Sequence, residues 1–447
     1  MLTMDGGGRS MARVQRGGKG NARPLRFGVP ETSTDPYAAL RLPNFRLYIV
    51  GLFAYTIAIQ IQGTVVGWQI YELTHDKLAL GLIGLAEAFP FIGAALYAGH
   101  VADRHDRRRV VLASLALLLV CSAGLLTLPL LFPTAPRLVV RAIYALIALS
   151  GFARSFLGPA RQALAAEIVP RPLYSNAITW RSGSWQLASV IGPAVGGILY
   201  AAGGTQLAYG IVAVLTLFGT GAIFVIAHKS LIKREHTEAV AKSLATGVRF
   251  VFNEPVILGA ITLDLFSVLF GGATALLPVF ADEILHVGPS GLGLLRAAPA
   301  MGAVVMSAAI AWMPPFRRAG RTLFIAVAAF GLCIIVFGLS TSMVLSVGAL
   351  IVSGGADMVS VFVRTSLIQH RTPTHMLGRV SSVNSIFVGS SNEIGEFESG
   401  VTAKLFGTVP SVVLGGIATL VVVAVTAWRL PALRKLGVME TTSASSA

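Results

Sequence analysis

Between about residue 46 and residue 430 the chain alternates long apolar runs with short polar breaks. Each run is close to the roughly 20 residues needed to cross the hydrocarbon of a bilayer. Twelve runs stand out, at about 46–70, 78–98, 110–132, 138–162, 176–201, 205–228, 255–281, 290–313, 322–340, 343–368, 379–405 and 409–428. Spans this closely spaced leave no room for a sizeable soluble domain. Only the two tails and the 229–254 connection are long enough to hold anything else.

Composition agrees with that pattern. Of the 447 residues 54% are hydrophobic and 12% charged, and the mean hydropathy is +0.74. Soluble domains carry about 25% charged residues. The net charge of +15 raises nucleic acid as a partner, but the positions of the charges argue against it. Arginine and lysine crowd the tail up to Arg46, the loop from Arg104 to Arg109, the stretch from Lys229 to Arg249, and Arg317, Arg318 and Arg321. The alternate loops hold only Lys77, Arg137 and Arg141, with Lys404 near a helix end. That bias is the positive-inside rule, and it predicts both termini in the cytoplasm. The basicity orients the chain in its bilayer; no nucleic-acid role follows from it. The first 40 residues are rich in Gly and Arg with no apolar stretch, which predicts a disordered tail and no cleaved signal peptide.

The chain also repeats itself. An offset of 203 lays Arg161 on Arg364, Pro170 on Pro373, Ser182 on Ser385, Gly192 on Gly395 and Gly197 on Gly400, without a gap. An offset of 209 lays Gly84 on Gly293, Pro90 on Pro299 and Gly93 on Gly302. The predicted fold is therefore an all-α membrane protein of twelve transmembrane helices in two pseudo-symmetric six-helix bundles. Its parts are a tail at 1–40, a bundle at 41–228, a connector at 229–254, a bundle at 255–430 and a tail at 431–447. Two parallel halves with a site between them is a plan of secondary transporters.

Polar groups inside the spans are candidates for a substrate or proton path, although many such groups are satisfied structural pairs. Thr56, Gln60, Thr64, Gly67 and Tyr71 share one face of the first span at helical spacing. Asp264, Ser267, Gly271 and Thr274 do the same on the seventh. Arg154 and Arg161 on the fourth span have Asp357 and Arg364 as repeat mates on the tenth, so Arg154 and Asp357 could meet across the pseudo-twofold axis. Glu87 and Arg296 are a second pair of mates with opposite charge. Asp264, with no acid or base before it on its own face, stands out as a proton carrier, against the alternative of a carboxylate capped by a neighbouring hydroxyl or arginine. The eleventh span carries Glu393, Glu396 and Glu398 in "SNEIGEFESG". The first two share a face in its outer half, as an outer gate or proton-release pair or as structural hydrogen bonders; Glu398 points away, toward the rim.

Two motifs add to this. "GHVADRHDRRRVV" sets Gly99, Asp103, Arg104, Arg107 and Arg108 in the loop after the second span. Such a cluster can lock onto an acid or a helix C-terminus in one conformation and let go in another. "GPAVGG", with Gly192, Pro193, Gly196 and Gly197, allows close helix packing and a bend in the fifth span.

With these features the sequence resembles the major facilitator superfamily, whose loop signature is Gly-x-x-x-Asp-Arg-x-Gly-Arg-Arg. Asp106 stands where that signature has its second Gly. The resemblance covers nearly the whole chain and implies a major facilitator fold, with spans 1, 4, 7 and 10 around a central cavity. "GPAVGG" looks like the antiporter motif of that superfamily's proton-coupled exporters. "RLPNFRLY", "GWQIYELTHDKLALG" and "GPARQAL" look like its enterobactin-exporter-like branch. The resemblance implies export of siderophores or amphipathic drugs in exchange for protons, by a monomer in the plasma (inner) membrane. The superfamily's usual Arg motif in the fourth span is not found here.

Uptake, lysophospholipid transport and a non-transporting scaffold or receptor remain alternatives. An enzyme is not expected. The eight histidines cluster in or near loops without metal spacing, no nucleophile elbow or P-loop occurs, and Cys121 and Cys333 lie in different spans. No metal or cofactor is called for. The expected partners are a small-molecule substrate, protons and the lipid bilayer.

Overall fold

The computed structural model describes residues 35–227, 240–313, 316–374 and 376–437, without the side chains of 96, 100, 102, 103 and 240–244. Of the expected tails at 1–40 and 431–447 and connector at 229–254, residues 1–34, 438–447 and 229–239 lie outside the described residues. From Tyr37 onward the chain clusters as a single contact unit.

The long helices are α1 (Pro43–Thr74), α2 (Lys77–Arg104), α3 (Arg107–Leu131), α4 (Pro136–Ile168), α5 (Tyr174–Val225) and α6 (Val240–Asn253). They continue as α7 (Pro255–Gly271), α8 (Gly288–Trp312), α9 (Ala319–Leu339), α10 (Met343–Arg371), α11 (Leu377–Phe406) and α12 (Thr408–Arg429). Proline in the first turn starts α1, α4 and α7, where its missing N–H costs nothing. Asp76 and Asp106 cap α2 and α3 by accepting backbone N–H groups, from Leu78 at 3.0 Å and from Arg108 and Arg109 at 3.0 and 3.2 Å. The Asp106 that departs from the family's glycine thus has a local task.

Among the described residues ten segments are long and apolar enough to span a bilayer. Two physical features separate that count from the expected twelve. Helix α5 is one continuous segment of 52 residues with non-helical backbone at Gly203 and Gly204, so it turns back on itself as two legs. Gly204 has φ +62°, a conformation that glycine adopts without the Cβ penalty. Helix α11 is left out because its serines, asparagines and glutamates together make it too polar. The predicted seventh span also breaks, at Gly271, and continues to Ile284 through short 3-10, α and π turns. Part of the predicted connector is helix: α6 lays Val248, Phe250 and Val251 on the core of the second half and runs along the start of α11, with Gly247 against the Arg379 carbonyl.

Three cores hold the bundle together. One, around Tyr48, Leu115, Leu157 and Leu164, uses only residues 39–226. Another, around Ile257, Leu323, Val363 and Leu367, uses only residues 251–433. The third mixes the halves, joining Ile61, Tyr71 and Tyr209 to Phe280, Leu292 and Phe337. The two separate cores lie at the end where the described chain begins and ends (the near end); the shared core lies at the opposite, far end. Helices α2 with α11 and α5 with α8 make the main contacts between halves. Their far portions touch: a Cβ on Gly197 would lie 2.9 Å from Gly293 Cα, and one on Gly400 would lie 2.8 Å from Gly81 Cα. Their near portions do not. Gly93 and Gly99 on α2, Gly183 on α5, and Gly378 and Gly389 on α11 face open space. The halves pack closely at the far end and loosely at the near end, where α6 reaches α2.

Candidate functional site

A cavity of about 200 Å3 lies where α1, α2, α4, α5, α7's extension, α8 and α11 converge. Its walls include Val66, Leu80, Ile83, Ile147 and Pro278, and its polar groups include Gln60, Gln62, Ser150 and Thr274. Five ionisable side chains also line it: Glu87, Arg154, Arg296, Glu393 and Glu396. Among the described residues that is one carboxylate more than guanidiniums. Glu87 and Arg154 form an ion pair across α2 and α4. Arg296 of α8 crosses to the other half and donates to the Gly63 carbonyl of α1 at 2.7 Å. Gly67 helps to leave room for it: a Cβ there would lie 3.3 Å from the Arg296 Nη1.

The expected ion pairs are rearranged. Arg154 does not meet its repeat mate Asp357; it pairs with Glu87 one helix away in its own half. Glu87 and Arg296 share the cavity without pairing to each other among the described contacts. Asp264 is not unpaired: it is bound to Arg364 of α10, and both are 3% exposed. Its own helix face held no warning because the partner comes from another helix. Asp357 lies in a separate cavity of about 240 Å3 inside the second half, with Ser353, Asn392 and Thr274. Thr64 is buried and donates to the Gln60 carbonyl on its own helix at 3.1 Å, so of the polar face of α1 only Gln60 and Gly67 reach the central cavity. Glu398 does not line it.

The two glycine motifs pack as a symmetric pair. Gly192 abuts Gln60 of α1 and Gly197 abuts Gly293 of α8; Gly395 abuts Leu269 of α7 and Gly400 abuts Gly81 of α2. In each half the first glycine meets its own half and the second meets the other. Gly196 rests on Ile61 and Pro193 offers its carbonyl toward Gly293.

In the first turn of α3, Arg107 pairs with Glu167 of α4, and Arg108 donates to the Ile223 and Phe224 carbonyls at the end of α5 while stacking 5.7 Å from the Phe224 ring. Arg104 is exposed and Gly99 faces open space. The side chain of Asp103 lies outside the described residues. An acid and a helix C-terminus do receive the arginines, both within the first half.

Sequence reasoning missed the far-end contacts between halves. Tyr71 of α1 donates to Glu283 beyond α7, and Lys404 of α11 reaches Asp76 before α2 at 3.1 Å. It also missed Trp185, which lines both the central cavity and a second one of about 350 Å3 on the near side. An aromatic among apolar residues on a Gly-rich span carries no signal by itself.

The Major Facilitator Superfamily profile matches residues 48–395. The chain is 28% identical over 386 residues to the enterobactin exporter EntS of Citrobacter koseri, covering 85% of this chain and 90% of that protein. It is 27% identical over 384 residues to the enterobactin exporter EntS of Shigella boydii, with the same coverage. Among solved structures it superimposes on the nucleoside transporter NupG with a TM-score of 0.68 at 12% identity, covering 86% of this chain and 99% of that one. For the peptide transporter POT the TM-score is 0.70 at 14% identity, covering 88% and 95%. Those likenesses carry the fold. With the profile spanning most of its length, the chain belongs to the Major Facilitator Superfamily and is a multi-pass membrane transporter of small molecules.

Proposed function

We propose that this transporter exports small amphipathic organic molecules, of siderophore or drug type, in exchange for protons, by alternating access across the inner membrane with both termini in the cytoplasm. The observation that carries the reading is the central cavity, between halves packed closely at the far end and loosely at the near end, and lined from both by three carboxylates and two arginines. One carboxylate in excess is a place for one proton. Glu393 and Glu396 sit on α11 where it crosses onto α2, with Gly84 against both. Protonation there changes the charge facing Arg154 and Arg296, and so the balance between forms open at one end and the other. Apolar walls with Gln60 and Gln62 suit an amphipathic ligand. The likeness to enterobactin exporters supports a siderophore as cargo. Bundles 41–228 and 255–430 rock as rigid bodies around the cavity, as a monomer.

Deletion and overexpression in the host, read by a drug panel and by profiling the extracellular medium, test this. The expected result is a siderophore that disappears from the medium on deletion and returns with the wild-type chain. The Glu393→Gln, Glu396→Gln double variant, at normal protein level, should not restore it. An unchanged medium together with unchanged drug tolerance overturns the export reading, and full restoration by the double variant overturns the proton role.

A further inference from the structure

The near-side cavity has a chemistry of its own. It is lined by Leu52 and Thr56 of α1, Arg161 of α4, and Ile178, Arg181, Ser182 and Trp185 of α5. Two guanidiniums stand there and, among the described residues, no carboxylate lines it or pairs with either. The Nε atoms of Arg161 and Arg181 are shielded from solvent and have no hydrogen-bond partner. Arg107, by contrast, has an acid: it pairs with Glu167 through its terminal nitrogen, although its Nε is likewise unpartnered. Burying parts of two like charges without an anion is costly, so the site is built for an anion that arrives.

The second feature is aromatic. The Arg161 guanidinium lies 5.9 Å from the centre of the Trp185 ring, within cation–π range, and Trp185 is still 44% exposed. Leu52 and Ile178 add apolar wall, and Thr56 and Ser182 add hydroxyls. At about 350 Å3 the cavity falls at the small end of the range for small-molecule sites, about 300–1,000 Å3.

We infer that this vestibule is a capture site for aromatic acids: a carboxylate or acidic phenol held by Arg161 and Arg181, with its ring against Trp185, Leu52 and Ile178. Trp185 lines both this site and the central cavity, so the ligand passes the indole to move inward. A site of positive charge at the mouth thus precedes a cavity with a carboxylate in excess. The inference deepens the proposed export function by naming the ligand class, and rests on it only for the direction of passage.

Equilibrium binding separates the two. Isothermal titration of the purified full-length chain in detergent uses 2-naphthoate as probe, its neutral isostere 2-naphthamide and inorganic phosphate as comparators. Naphthoate should bind, and naphthamide should bind roughly tenfold more weakly or not at all, the order expected for losing a charge-assisted hydrogen bond. Arg181→Gln and Trp185→Leu should each weaken naphthoate binding by about tenfold, whereas Arg137→Gln, at the far start of α4, should not. Equal binding of naphthoate and naphthamide overturns the inference without any variant. So does equal weakening by Arg137→Gln, or binding of phosphate or phosphatidylglycerol micelles in place of naphthoate, which would mark a lipid headgroup site. Naphthoate binding in a chain that fails the export experiment faults the export reading and leaves this site standing.

Discussion

Asp264 and Arg364 show how a single residue changes meaning once its neighbours are known. By sequence Asp264 is the acid without company on its face; in the fold it is the buried half of an ion pair between α7 and α10. Two charges taken out of the bilayer's polar boundary survive only by pairing, and removing one partner leaves the other exposed to a low dielectric, at a cost of about 3–5 kcal/mol. Arg364→Ala should therefore lower the thermal unfolding midpoint of the detergent-purified protein markedly. The apolar double variant Asp264→Leu, Arg364→Met should recover most of that loss. An unchanged midpoint with lost transport would return Asp264 to the transport path. The contrast with Glu87 and Arg154 is instructive: their ion pair lines the central cavity and is partly exposed.

At the scale of helices, α5 and α11 are the elements that join the halves, and their glycines set how closely. Gly197 against Gly293 and Gly400 against Gly81 leave no room for a side chain. The equivalence was legible in the repeat, since Gly197 maps onto Gly400 by the same offset that maps Gly192 onto Gly395. Which neighbour each glycine meets was not, because a repeat relates positions and not partners. Gly400→Val should force α11 off α2 at the far end and enrich the form open there. In a background with Cys121→Ser and Cys333→Ser, a Thr274→Cys reporter in the cavity should then react faster with an impermeant maleimide added from the far side. Unchanged labelling would mean that this contact does not limit opening.

The whole molecule is held together at the far end by a shared apolar core and by contacts between halves, which the proposed alternating access would have to break. Lys404 and Asp76 are 51% and 42% exposed, and exposed pairs contribute only about 0–1 kcal/mol. Such a latch is weak enough to release. With Tyr71 on Glu283 it spans the gap from α1 and α11 to the opposite half. Cysteines in place of Asp76 and Lys404, in the same cysteine-free background, should cross-link under oxidation, arrest transport and regain it on reduction. Transport that continues while cross-linked would show that the far end need not open.

The sequence by itself determined the membrane class, the helical spans, the charge bias across them and the internal repeat. All of these follow from local composition and spacing. It also placed Glu87, Arg154, Arg296, Glu393 and Glu396 among the candidates, because an ionisable group inside an apolar span is conspicuous wherever it points. Only the tertiary structure decided which of them share a cavity, that Arg154 belongs to Glu87 and Asp264 to Arg364, and that Trp185 stands between two chambers. Ion pairs and cavity walls are made between helices far apart in the chain. They depend on how each helix is rotated and where it crosses its neighbours, and no single span records either.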